Sequence, residues 1–242
     1  MGVNSNAEKF YHVKNLWATI QGEGFYAGTP CIFVRFVGCN MWSGYEKDRA
    51  RDAKRNNAHC PLWCDTDFTK ENSVRYTASE LVKLVDHIAR FHGGGINRVV
   101  CTGGEPLLVM DSDLVRGFQR EGYHVHVETN GTVSLSVFED EVPDWICCSP
   151  KTPADRIALE YMHELKLVIP DYNLDTHGSL RNRVHPVYMG KDCGVDNLWQ
   201  PCYVQPEDGP RYADAVKECV DIVMREAGWR VSAQTHKMLG VK

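Results

Sequence analysis

Three cysteines, Cys39, Cys60 and Cys64, follow the apolar run 31–38, with twenty residues between the first two and three between the last two. Thiolates are the ligands of iron–sulfur clusters, and a set of three holds three irons of a four-iron cluster while leaving the fourth open to an outside ligand. A strand-like stretch farther on ends in Thr102-Gly103-Gly104-Glu105-Pro106. Paired glycines let backbone approach a ligand closely, and a carboxylate beside them can accept a hydrogen bond from an ammonium group. The same cysteines with His59 as a fourth donor would equally make a structural zinc site. Spacing alone leaves both metals open.

The other cysteines read differently. Cys31, Cys101, Cys147 and Cys148 lie inside apolar runs, where a reduced thiol packs as a small hydrophobe. In a reducing compartment a close Cys cluster points to metal or catalysis rather than to disulfides.

Elements that would position these groups alternate along the chain. Strands are expected at 31–37, 98–101, 124–128, 145–148, 165–169, 203–205 and 230–233. Helices are expected at 79–92, with Leu81, Leu84, Val85, Ile88 and Phe91 as the apolar stripe, at 111–120 with Asp111 as cap, and at 212–226. Such alternation argues for an α/β fold with a parallel sheet and right-handed crossovers. Ligands gather at the carboxyl ends of parallel strands. Gly38-Cys39, Thr102 to Glu105, Glu128 to Gly131, Ser149 to Lys151, Gln205-Pro206 and Gln234 to Lys237 all fall there.

The 242 residues carry 43% hydrophobic and 24% charged side chains, the balance of a globular chain, and they show no repeat or linker, so one domain is expected. A net charge of −5 argues against nucleic-acid binding. The polar N-terminus and the lack of a long apolar stretch predict a cytoplasmic protein with no membrane association. His92-Gly93-Gly94-Gly95 imitates an esterase oxyanion loop, but the chain has no Gly-x-Ser-x-Gly elbow. It has no His-Glu-x-x-His zinc-protease helix either.

Taken together, the segments 19–24, 33–40 and 63–66, then 101–106, 128–131, 149–151 and 164–166, and finally 205–210 and 234–237 resemble the radical S-adenosylmethionine (SAM) superfamily. Within it they resemble the 7-carboxy-7-deazaguanine synthases. The superfamily's common spacing is C-x3-C-x2-C, from which this chain departs by its inserted segment 40–59 and its C-x3-C second pair. The resemblance implies an incomplete TIM-like (partial β/α) barrel with parallel strands. It also implies a 4Fe–4S cluster on Cys39, Cys60 and Cys64, SAM on the open iron, and a homodimer. The reaction implied is conversion of 6-carboxy-5,6,7,8-tetrahydropterin to 7-carboxy-7-deazaguanine with loss of ammonia, a step toward queuosine-type deazapurines.

The same resemblance implies roles for single residues. Asp65, Gly103, Gly104, Glu105, Ser149, Pro150 and Lys151 would meet SAM. Ile20, Gln21, Gly22, Glu23, Arg35, Thr102, Gln205, Pro206, Glu207, Asp208, His236 and the C-terminal Lys242 would face the pterin. Thr66 would bind Mg2+, an ion that takes oxygen ligands and keeps several waters. Arg35 suits the substrate carboxylate because a guanidinium grips it bidentately; an ion pair with Glu23 or Glu128 is the structural alternative. A glycyl-radical activating enzyme and a non-catalytic zinc module are the competing readings.

Between the first two cysteines, residues 46–55 carry five basic and three acidic side chains. A short exposed helix with intrahelical ion pairs is expected there. Its cations would also suit an acidic electron donor of the flavodoxin type.

Overall fold

The computed structural model describes residues 8–56, 64, 66–192 and 195–241. Eleven strands are described: β1 (Tyr11–Ile20), β2 (Pro30–Phe36), β3 (Val74–Tyr76), β4 (Arg98–Gly103), β5 (His124–Thr129), β6 (Trp145–Cys148), β7 (Glu164–Ile169), β8 (Val187–Asp192), β9 (Val195–Trp199), β10 (Cys202–Pro206) and β11 (Trp229–Val231). The helices are α1 (Arg49–Asn56), α2 (Ala78–Phe91), α3 (Ser112–Arg120), α4 (Leu174–His177), α5 (Tyr212–Arg225) and α6 (Thr235–Met238).

Nine strands form one open sheet in the order β11-β10-β7-β6-β5-β4-β2-β1-β3. From β2 to β11 the neighbours are parallel and follow chain order, so each crossover adds the next strand on the same side. That is the winding of a β/α barrel left unclosed. Two strands depart from the all-parallel expectation. β1 is antiparallel to β2, and β3 is antiparallel to β1. The β1 signal is broken by a register shift between Val13 and Asn15, and its polar His12, Lys14 and Asn15 hide the alternation. The β8–β9 hairpin forms a separate antiparallel pair.

Register separates the two faces of the sheet. Ile32, Val99, Val125 and Leu165 stand with their neighbours Val34, Cys101, Val127, Ile146, Leu167, Cys202 and Val204 in one apolar core. Helix α2 packs on the β1–β3 side, α3 on β5, and α5 on β7, β10 and β11. Burying these stripes contributes roughly 1.5–3 kcal/mol per large aliphatic side chain. α2 starts with a capping box between Thr77 and Glu80, and Asp111 caps α3 by accepting from Leu114 N at 3.0 Å. The α2 stripe is rotated from expectation. Leu81, Val82, Val85 and Ala89 are buried, whereas Phe91 is 81% exposed.

The opposite, concave face carries the chemistry-bearing row: Arg35 beside Thr102, Glu128 beside Cys147, Cys147 beside Glu164, and Lys166 beside Tyr203. The β1–β2 loop folds into this face. Gly24 N donates to Ser232 Oγ (3.0 Å), Phe25 N to Glu164 Oε2 (3.3 Å), and Thr235 N to Gly22 O (2.9 Å). Beneath it Phe25 and Tyr26 pack on Trp145 at centroid distances of 5.0 and 4.9 Å. No described helix is long and apolar enough to cross a membrane.

Glu164 lies under that loop. Burial pushes its carboxyl up to about 7 from an ordinary 4.5. Between those values the folded chain holds a proton that the unfolded chain releases, so stability falls as pH rises through the window. Glu164 Oε2 accepts from both Trp145 Nε1 and Phe25 N, an arrangement that a glutamine oxygen preserves. Urea unfolding of Glu164→Gln at pH 5 and pH 7.5 should show a smaller loss of stability than the wild type, by on the order of 2 kcal/mol. Identical losses would remove Glu164 as the titrating group.

Candidate active site

One cavity opens at the carboxyl ends of the parallel strands. Cys39 lies just beyond β2. Thr102, Gly103 and Gly104 close β4, while Glu128, Thr129 and Asn130 close β5. Ser149 and Lys151 follow β6, Lys166 and Val168 belong to β7, and Gln205 to Asp208 end β10. Glu23, Met41, Trp42, Cys64, Thr66, Phe68 and Gln234 complete the lining.

Cys39 and Cys64 are both partly exposed and face this cavity. Every other described cysteine is buried. Burial pushes the thiols of Cys31, Cys202 and Cys219 up to about 12, and those of Cys101, Cys147 and Cys148 above their ordinary range as well. Thiolates bind metal, so the core thiols are poor ligands, and Cys39 and Cys64 are the described pair suited to it. Cys60 and His59 lie outside the described residues, as do Asp65 and Lys242. Among the described residues no three His, Cys, Asp or Glu side chains assemble into a metal site.

The loop bearing Cys39 is held from three sides. Gly38 N donates to Phe68 O (3.0 Å), and Gly38 O accepts from Glu105 N (2.9 Å). Asn40 donates to Thr132 Oγ1 (2.7 Å) and accepts from Asn130 Nδ2 (3.0 Å). Met41 N donates to Cys39 Sγ at 3.4 Å. Gly103 has φ +144, and a Cβ there would lie 2.3 Å from Phe36 O. At Gly104 the added Cβ would lie 2.0 Å from Gly38 O. The two glycines allow β4 to press its end against the cysteine loop. Two cysteines beside such a cradle fit an iron–sulfur cluster carrying a small ligand.

Glu105, expected at SAM, stands outside the cavity lining. It is fully buried, taking Leu107 N (3.0 Å) and Thr129 Oγ1 (2.8 Å) on one oxygen and Asn130 N (2.7 Å) on the other. Burial pushes it up to about 7 despite those donors. It positions the β5 loop beneath the cysteine loop.

The remaining expected residues divide. Gly103, Gly104, Ser149, Lys151, Thr102, Glu23, Thr66 and Gln205 to Asp208 are brought to the cavity. Pro150 and Ile20 stand outside its lining. Gln21 is buried and donates to Glu128 Oε1 at 3.0 Å. Glu207 lines the cavity, but its carboxylate is gripped by Arg211 at 2.8 Å. Asp208 pairs with Lys237. His236 packs on Gly22, where an added Cβ would fall 1.9 Å from its Nδ1. Arg35 lies over Trp17 at 5.1 Å and adjoins Thr102 in register. Glu23 pairs with Lys166, and Glu128 accepts from Gln21.

The segment 46–55 is helical as expected but not wholly solvated. Arg49 is buried with its guanidinium 3.7 Å from the Trp42 ring centre, and Asp52 is buried, accepting from Ser43 N at 2.9 Å. Lys47, Lys54 and Arg55 are its exposed cations without an ion pair among the described residues, whereas Arg51 pairs with Asp48 and Asp52. Lys166 is the site residue that sequence reasoning left without a role. It is a buried lysine on the concave face, and its signal is a charge that shares one face of an otherwise apolar strand with Glu164.

Comparison with known proteins places these features in context. The radical SAM superfamily pattern matches residues 57–177. The 7-carboxy-7-deazaguanine synthase of Bradyrhizobium diazoefficiens is 37% identical over 96% of this chain and 99% of its own length. That of Burkholderia multivorans is 39% identical over the same shares. The crystal structure of QueE from Escherichia coli superposes with a TM-score of 0.61 over 93% of each chain at 21% identity, which speaks to the fold alone.

The contact between Gly104 and Gly38 can be probed directly. Gly104→Ala should force the cysteine loop away, costing about 1–3 kcal/mol and lowering the melting temperature by roughly 3–10 °C. It should also reduce iron uptake on reconstitution. Gly95→Ala, where nothing lies within 4 Å of the added Cβ, should change neither. Equal behaviour of the two variants would mean the β4 loop can yield.

Proposed function

The chain belongs to the 7-carboxy-7-deazaguanine synthase family of the radical SAM superfamily, and from that membership we propose the residue roles that follow. The activity is conversion of 6-carboxy-5,6,7,8-tetrahydropterin to 7-carboxy-7-deazaguanine with release of ammonia. The observation that carries the assignment is the gathering of Cys39, Cys64, the Gly103-Gly104 turn, Ser149, Lys151 and the Gln205–Asp208 turn around one cavity.

Cys39 and Cys64, with Cys60, would hold the 4Fe–4S cluster. When bound, cluster and SAM supply an electron and a hydrogen-abstracting radical. The protein's part is to bind and orient. Gly103 and Gly104 offer backbone without side-chain obstruction, and Ser149 and Lys151 add polar groups for SAM. Thr102, Glu23 and Gln205 bring hydrogen-bonding groups to the substrate side, while Phe25 and Tyr26 pack on Trp145 and fix the β1–β2 loop that carries Glu23. Arg35 is assigned to the substrate carboxylate and Thr66 to Mg2+. A homodimer is the expected assembly, and an acidic flavodoxin-type protein the expected reductant.

The test is direct. Anaerobically reconstituted protein with SAM, dithionite, Mg2+ and 6-carboxytetrahydropterin should yield 7-carboxy-7-deazaguanine and ammonia by mass spectrometry, and Cys39→Ala should yield neither. 5′-Deoxyadenosine without the deazaguanine would keep the radical chemistry and displace the substrate. For the reductant, reversing Lys47, Lys54 and Arg55 to glutamate should slow flavodoxin-supported turnover several-fold and leave dithionite-supported turnover unchanged. Arg49 is excluded from that variant because its side chain is buried on Trp42. Unchanged flavodoxin rates would remove α1 as the docking face.

A further inference from the structure

Lys166 lies on the concave face of β7, 4% exposed, and lines the cavity with Glu23, Glu128, Thr102, Gln205 and Gln234. Burial alone would strip its proton, but the carboxylates of Glu23 and Glu128 beside it hold it as an ammonium. An ammonium has three donors. Among the described residues Lys166 donates to Glu23, which leaves two N–H groups on a buried charge. Such groups are costly without an acceptor, so the geometry calls for an oxygen supplied from the cavity.

Glu23 is the complement. The adjoining ammonium holds its carboxyl well below the ordinary range. One oxygen meets Lys166, and the other accepts from Gln234 Nε2 at 2.8 Å. Each oxygen has a second lone pair for a further donor. A fixed donor and a fixed acceptor therefore lie side by side on the cavity wall. That pattern is the inverse of a lactam edge, in which a ring N–H neighbours a C=O. A purely structural ion pair would need neither burial inside the cavity nor uncommitted donors.

We propose that the Lys166–Glu23 pair reads the lactam edge of the pterin, Lys166 donating to the ring carbonyl oxygen and Glu23 accepting from the neighbouring ring N–H. This rests on the substrate reading above and deepens it by making the pair a specificity determinant.

The probes are pterin-6-carboxylate, which has the lactam edge, and 2,4-diaminopteridine-6-carboxylate, in which an amino group replaces the oxygen. Both are titrated by fluorescence into reconstituted holoenzyme that has first been shown to convert the carboxytetrahydropterin. The wild type should bind the pterin about 10–100-fold more tightly, the discrimination expected for hydrogen bonds to charged groups. The charge-neutral pair Glu23→Gln/Lys166→Met should keep the cluster absorbance while the preference collapses to about threefold or less. Its KM should rise by at least about tenfold, with a smaller change in kcat.

A double variant that retains the wild-type preference would make the pair structural only. Equal affinity of the wild type for both probes would overturn the proposal however the variant folds. Failure of the wild type to turn over the carboxytetrahydropterin would instead strike the substrate reading.

Discussion

A buried ion pair between Lys166 on β7 and Glu23 in the β1–β2 loop is the contact around which the site is arranged. The parallel strands wind in barrel order but stop at β11, leaving the sheet open. The β1–β2 loop occupies the concave side of this opening, reaching β5 through Gln21, β7 through Glu23 and Phe25, and the end of β11 through Gly24. Two charges with so little access to water are stable only as a pair, and removing one partner alone would cost about 3–5 kcal/mol. The ion pair thus fixes how deeply the loop enters. The loop in turn sets the floor of the cavity and gives the C-terminal segment, through Thr235 and Gln234, something to latch onto.

Above that floor the positions of the cysteines follow from backbone packing. Gly103 and Gly104 bring β4 against the β2 loop at distances that exclude any side chain. The sealed Glu105 carboxylate ties the β5 loop to the same place. The site is therefore a junction of three strand ends held by hydrogen bonds. Thiol chemistry segregates accordingly, with six buried, high-pKa cysteines and two accessible ones in the cavity among those described.

Much of this was legible in the residues. The apolar runs located the seven parallel strands because buried parallel strands read as continuous hydrophobic segments. Asp111 announced its helix through capping chemistry. The polar motifs placed the cavity, since they recur at the carboxyl end of each strand. What could not be read depended on partners distant in the chain. Glu105 looks like a ligand contact beside two glycines, and only the fold brings Thr129 and Asn130 to its oxygens. Arg49 and Asp52 look like solvated helix charges until Trp42 and Ser43 are placed against them. β1 was hidden by a bulge, and Lys166 acquires meaning only opposite Glu23.

We propose that Cys39, Cys60 and Cys64 together form a three-thiolate site with one open iron. Iron and sulfide analysis combined with EPR of the reduced, anaerobically reconstituted protein tests it most directly. About four irons and four sulfides per chain are expected, with a reduced-cluster signal that changes shape when SAM is added. That signal should be lost in each single Cys→Ala variant of the three. A chain that binds one zinc through these cysteines, or a full cluster whose signal is indifferent to SAM, would contradict it.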